Sequence, residues 1–225
     1  MSYDWHFSDG NHTKMSNWTV HTAVMLAYYA IGVWSYKRLE SELTTLQMWK
    51  NEMHDAFQNS VPTENVTEGL RTTITVNRFE IDSDEYKEAK EEGLPVTEKG
   101  GFAWIAQVTF EGKEPPKQEF IDAFLDNMKI PLLYATRNSM RCDSLLDECP
   151  EAFRPTYAKV LLNDGALFDA NDAATLIHAF MPLTSVKKVD DSVLRRLEDV
   201  IDPDWTDLIA CCGHIVMKNV TALIY

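Results

Sequence analysis

Cysteine is scarce in this chain, with four in 225 residues, and no two of them form a C-x-x-C pair. Four are too few to staple a scaffold of this size, so a disulfide-built fold is excluded. Cys142 and Cys149 are near enough in sequence to bridge a loop in an oxidising compartment, but reduced, structural thiols are the expectation. Glycine and proline number nine each, which argues against both disorder and collagen-like repetition. Neither an internal repeat nor a low-complexity tract is visible. Phosphate-loop and dinucleotide-binding patterns are missing, as is the G-x-S-x-G nucleophile elbow. Gly100 and Gly101 precede a strand-like run and not a helix, so they lack the setting a phosphate cradle needs.

Positive charge is also short. Lys and Arg total 21 against 35 Asp and Glu, a net charge of -14. Such a surface repels phosphate backbones, so direct nucleic-acid binding is not expected. A nucleic-acid mimic is the sharper reading of that charge, and a solubility feature is the plainer one. Asn-x-Ser/Thr triplets at Asn11, Asn17, Asn65 and Asn219 are a mild excess over chance and identify acceptors only in a secreted chain.

What the chain does have is a long apolar stretch, Trp18 to Tyr36, with Lys37 and Arg38 directly after it. Its length of about 19 residues is the minimum for a membrane-spanning helix, and Trp18, Trp34 and Tyr36 would suit the two interfaces. A signal peptide fits less well, because the first thirteen residues carry Asp4 and Asp9 and no Lys or Arg. His21, Thr22, Tyr28, Tyr29 and Ser35 soften the stretch. The apolar spacing of three or four also continues through Leu39, Leu43, Leu46, Met53 and Phe57. One long helix, or two broken near Gly32 or Lys37, accounts for this without a membrane. Its first half would be buried nearly all round.

The remaining chain reads as mixed helix and strand. Residues 1–17 form a strand-like arm or irregular lead-in, and Ser16 or Asn17 caps the following helix. Residues 58–69 are a loop. Residues 70–81 give the strongest strand signal and pair antiparallel with 102–112. The acidic segment between them is a long exposed connection with a short helix. Residues 117–128 form an amphipathic helix, 130–135 a third strand, and 137–156 an irregular crossing with at most a turn of helix. Residues 157–162 form another short strand, joined through Asn163, Asp164 and Gly165 to one opening at Ala166. Three helices follow. The first is capped by Asp169 or Asn171 and ended by Pro182. The second begins near Asp190, and the third at Asp202–Pro203. The fold class is therefore α+β, with a long N-terminal helix, a small antiparallel sheet and a helical C-terminal third. A single globular domain, 1–225, is the simplest organisation, with a possible sub-boundary near 137–156.

Chemistry-bearing clusters are sparse. Cys211, Cys212 and His214 are the dense set, with His178 as an added ligand from a neighbouring helix. Cys211 and Cys212 point about 100 degrees apart on a helix, which leaves Cys211 and His214 as the pair able to face one ion. His6 and His12 are a weaker pair. Glu52 and Asp55 are three apart, a spacing that can hold a cation. Cys142 or Cys149 as a nucleophile would need a distant histidine that nothing in the sequence brings near. The plain reading of each is structural, so no catalytic, cofactor-binding or metal residue is assigned and no cofactor is expected. Among the tryptophans, Trp49 is the one expected to lie half exposed.

The leading functional expectation is a noncatalytic, cytoplasmic protein that binds a protein partner or itself, as a subunit of an assembly or as an inhibitor. The alternatives are a small enzyme, most naturally a hydrolase, and a protein anchored in a membrane by residues 18–36.

Overall fold

A computed structural model describes residues 2–60, 71–111, 129–162, 165–184 and 191–225. The predicted helix at 117–128 and the turn residues Asn163 and Asp164 lie outside the described residues. The architecture is α+β, with two small antiparallel sheets and a helical C-terminal region. The chain divides into two compact units, one of residues 1–50 and 140–225 and the other of residues 51–139.

In the first unit, residues 1–17 are more ordered than an irregular lead-in. Strands β1 (Ser2–Phe7) and β2 (His12–Ser16) form a hairpin whose turn contains Gly10 at φ 87. Glycine accommodates that left-handed turn position without a Cβ clash. Asp9 tightens the turn by accepting the Asn11 N–H at 3.1 Å. Ser16 then caps α1 (Asn17–Ala30), its Oγ accepting the Thr19 N–H at 3.1 Å.

Helix α1 is buried on every side from Thr19 to Tyr28. It packs against β2 and against α5 (Arg154–Leu162), α6 (Ala170–Thr184), the 3-10 turn Pro203–Trp205 and α8 (Thr206–Lys218), while the short α7 (Asp191–Arg196) precedes that turn. Gly32, at φ 80, ends α1, and the N–H groups of Val33 and Trp34 close back onto the Tyr28 carbonyl. A second helix, α2 (Tyr36–Ser60), follows. The break therefore falls near Gly32, the first of the two expected places. On α2, Leu39, Leu43, Leu46 and Met53 are buried at helical spacing.

No described helix is long and apolar enough to cross a membrane. The stretch expected as a possible span is a 14-residue helix followed by a turn. At 1.5 Å per residue α1 extends about 21 Å, against about 30 Å of hydrocarbon.

The sheet of this unit has the order β2-β1-β7-β6, where β6 is Ala166–Phe168 and β7 is Ala222–Ile224. The last residues of the chain thus form an interior strand of the sheet. Tyr3, Trp5, Phe7, Met15, Phe168, Ala222 and Ile224 face the core.

Two expected features are overturned here. Residues 137–156 are not an irregular crossing: α4 (Lys129–Asp147) covers the first half and α5 opens at Arg154. Residues 157–162 are helix and not strand. Tyr157, Val160 and Leu161 are buried at positions i, i+3 and i+4, a helical period hidden in a run too short to show it. Farther on, Asp169 caps α6 by accepting the N–H groups of Asn171 and Asp172 at 2.8 and 3.0 Å. Asp172 Oδ2 returns the bond to the Asp169 N–H at 3.2 Å, a reciprocal capping box. Pro182 sits inside α6, which ends two residues later at Thr184.

The second unit holds a three-stranded sheet of order β3-β5-β4. Strand β3 (Arg71–Glu80) pairs antiparallel with β5 (Phe102–Glu111), as expected, with Val76 opposite Ala106. The connection between them carries the expected short helix and, beyond expectation, a strand. It contains α3 (Asp84–Glu91) and β4 (Val96–Lys99), the latter paired with β5. Tyr86 and Ala89 of α3 bury against Ala103 and Ile105 on one face of β5. On the other face, Trp104 and Ala106 pack with Val76, Phe102, Leu132 and Ala135. The expected strand at 130–135 is the start of α4. Pro131 fits that first turn because its missing N–H has no helical partner there.

Candidate functional site

Each candidate set from the sequence can now be placed. Cys211 and Cys212 are both buried in α8, and burial pushes the Cys211 thiol up to about 12 and the Cys212 thiol higher. Thiols held protonated are poor metal ligands. His214 turns instead toward the first hairpin, its Nε2 2.9 Å from Asp9 Oδ2 and its ring edge against Phe7. His178 is exposed on α6. Among the described residues no three His, Cys, Asp or Glu side chains converge as a metal site. Glu52 pairs with Arg137, and Asp55 is exposed, so the two carboxylates do not act as one ligand set. Trp49 is half-buried beneath the Arg141 guanidinium, 5.0 Å from its ring centroid.

Cys142 and Cys149 are not bridged to each other, and both are buried thiols. The distant histidine that the sequence could not supply is His21. Its Nε2 lies 3.3 Å from Cys142 Sγ, across 121 positions of chain. Helix α1 carries the imidazole, α4 carries the thiol, and strand β1 completes the group with Tyr3. The Cys142 thiol donates to the Leu161 carbonyl at 3.2 Å, and the Tyr3 hydroxyl donates to the same oxygen at 2.9 Å.

In outline this is a nucleophile beside a base. Its electrostatics point the other way. His21 is 1% exposed and Cys142 is 4% exposed. Desolvation first, and the nearby Arg141 charge second, lower the His21 pKa to about 3. Moving the thiol proton to such an imidazole would create two charges in a dry interior, where the desolvation cost exceeds their attraction. The pair is therefore a neutral thiol and a neutral imidazole. It gives a polar ring inside an otherwise apolar core a hydrogen-bond partner. Sequence reading missed it by counting His21 only among the residues that soften the apolar stretch. The available signal was that a helix buried all round must give any histidine a polar contact.

Two further buried carboxylates are structural. Asp202 accepts Thr19 Oγ1 at 3.1 Å and Lys50 Nζ at 2.8 Å, tying α1 and α2 to the 3-10 turn that precedes α8. Asp172 accepts Thr156 Oγ1 at 2.9 Å and Lys159 Nζ at 2.7 Å, joining α6 to α5.

The open part of the first unit is the outer face of its four-stranded sheet. Side chains alternate across a strand, so the residues between the core-facing ones point outward. Register places His12, His6, Leu223 and Leu167 in one row across all four strands. A second row holds Lys14, Asp4 and Tyr225, the last two exchanging backbone hydrogen bonds at 2.8 and 3.0 Å. Lys14 and Asp4 form an ion pair. Leu167 is 54% exposed and Tyr225 51%. The face thus runs from polar at β2 to apolar at β6. No protein-family model, no curated protein and no solved structure matches the chain.

Proposed function

We propose that this is a noncatalytic, cytoplasmic protein that works by binding a protein partner, as a subunit of a larger assembly. The observation that carries the reading is the outer sheet face. Leu167, Leu223 and Tyr225 are contiguous there and are flanked by His6, Asp4 and Lys14. A contiguous exposed apolar patch bordered by polar residues is a natural surface for a protein partner. The Cys142–His21 pair is sealed in the core, and Asp202 and Asp172 are engaged in structural hydrogen bonds.

The test is hydrodynamic size in extract of the producing cells, compared with the purified 25.7 kDa chain. The native protein is expected to migrate well above its monomer mass in extract. The double substitution Leu167→Asp with Tyr225→Asp should return it to the monomer position with an unchanged circular dichroism spectrum. Migration of the wild type as a monomer in extract would overturn the reading.

One observation favours an enzyme, namely the 3.3 Å contact of Cys142 with His21. A thiol hydrolase would need that pair to open to solvent. Rapid alkylation of Cys142 by iodoacetamide in native buffer, slowed by His21→Gln, would support that reading. The sealed geometry leads us to expect no labelling until the chain is unfolded.

A further inference from the structure

The outer sheet face also carries a juxtaposition of chemistry-bearing side chains at its polar end. His6 and His12 are direct cross-strand neighbours. The next pair toward the turn is hydrogen-bonded, Phe7 N–H to Asn11 O at 2.9 Å. Because antiparallel pairs alternate, His6 and His12 form a non-hydrogen-bonded pair, the kind with backbones closest, about 4.5 Å between Cα atoms. Their rings stack at 21° with centroids 6.1 Å apart. Both side chains are exposed.

We propose that His6 and His12 form a two-histidine clamp for a divalent transition-metal ion. Imidazole nitrogens bind such ions at about 2.0–2.1 Å. Two rings on one ion then have centroids about 4.5 to 6.4 Å apart, from right-angled to linear coordination. The observed spacing lies inside that interval, and both rings are exposed, so turning them out of the stack about their side-chain torsions points a nitrogen of each at one ion. Tyr225 stands edge-on to His6 at 5.7 Å, on the side away from His12, and limits its sideways travel. Asp4 and Lys14, beside the pair on the same face, neutralise each other in an ion pair, and the net charge of -14 favours a cation over an anion. With only nitrogen donors from the protein, the site keeps open positions for water. Affinity follows the Irving–Williams order, so copper(II) binds most tightly, ahead of nickel(II) and zinc(II). Calcium and magnesium, which prefer oxygen, are not held.

The test uses the purified full chain and copper(II) alone, so it is independent of any protein partner. Titration calorimetry is expected to show one ion bound per chain, with electron paramagnetic resonance reporting two imidazole nitrogens. His6→Gln and His12→Gln should each weaken binding at least tenfold and reduce the signature to one nitrogen. His178→Gln, at an exposed histidine elsewhere, should change neither. Zinc(II) should raise the melting temperature of the wild type and not of the two clamp variants, because an ion that binds only the folded pair stabilises it. A loss smaller than tenfold in either clamp variant, or a loss on replacing His178, overturns the proposal.

Discussion

Replacing His21 by glutamine should flatten the acid side of the stability curve. In the folded chain the imidazole is fully enclosed and its pKa is lowered from 6.5 to about 3, chiefly by desolvation. In the unfolded chain it titrates at the ordinary value of about 6.5. Above that pH the ring is neutral in both states and contributes no pH dependence. As pH falls below it, the unfolded chain takes up a proton that the folded chain refuses. Stability therefore falls on acidification from about pH 6.5 to about pH 3, by about 1.4 kcal/mol per unit at full slope. Between pH 6.5 and 4.5 the loss is about 2–3 kcal/mol, a large fraction of a typical 5–15 kcal/mol. Glutamine keeps an amide nitrogen near the Nε2 position and cannot protonate, so this component disappears. Urea unfolding at pH 7.0, 5.5 and 4.5, for wild type and variant, gives the difference directly. The variant will start lower at pH 7.0 because the fit to Cys142 is imperfect, but its pH dependence should be shallower by that 2–3 kcal/mol. Parallel profiles would refute the claim that His21 is held neutral. The acidic groups Asp9 and Asp169, whose pKa values are lowered mainly by backbone hydrogen bonds, lose their stabilisation at lower pH and are common to both proteins.

Other perturbations test other parts of the fold. Leu26→Ala, at a fully buried position of α1, is expected to cost about 2–5 kcal/mol and lower the melting temperature by about 4–20 °C in calorimetry. Gly32→Ala forces a Cβ into φ 80 with no clash nearby, so the loss should be only about 1–2 kcal/mol, from backbone strain alone. Ala222→Asp places a carboxylate in the core-facing side of an interior strand, and the cooperative thermal transition should vanish.

How much of this was legible in the sequence depended on the length of each signal. The stretch from Trp18 to Tyr36 gave the right kind of element, a helix buried all round, and Gly32 was visible as a breaking point. Ten residues of β-branched alternation were enough to pair 71–80 with 102–111. Runs of six were not: 130–135 and 157–162 read as strands, and each is one turn or two of a helix whose period shows only with its flanks. The acidic run at 82–93 was read by its charge, yet Tyr86 and Ala89 anchor it to the sheet while its carboxylates stay in water.

The Cys142–His21 contact was illegible for a different reason. Proximity between residues 121 apart is a property of the packed helices and not of either local sequence. Its chemistry was nonetheless decidable once burial was known. The same enclosure that brings sulfur and imidazole within 3.3 Å removes the water that would stabilise their charged forms. His6 and His12 show the converse. A hairpin about Asp9–Gly10, which the sequence reading did not draw, makes them partners with five residues between, and they remain in solvent, where a ring nitrogen is open to a metal ion. Histidines of one chain thus separate by environment: the buried ring is confined to a structural contact, and the exposed pair is where ligand chemistry is accessible.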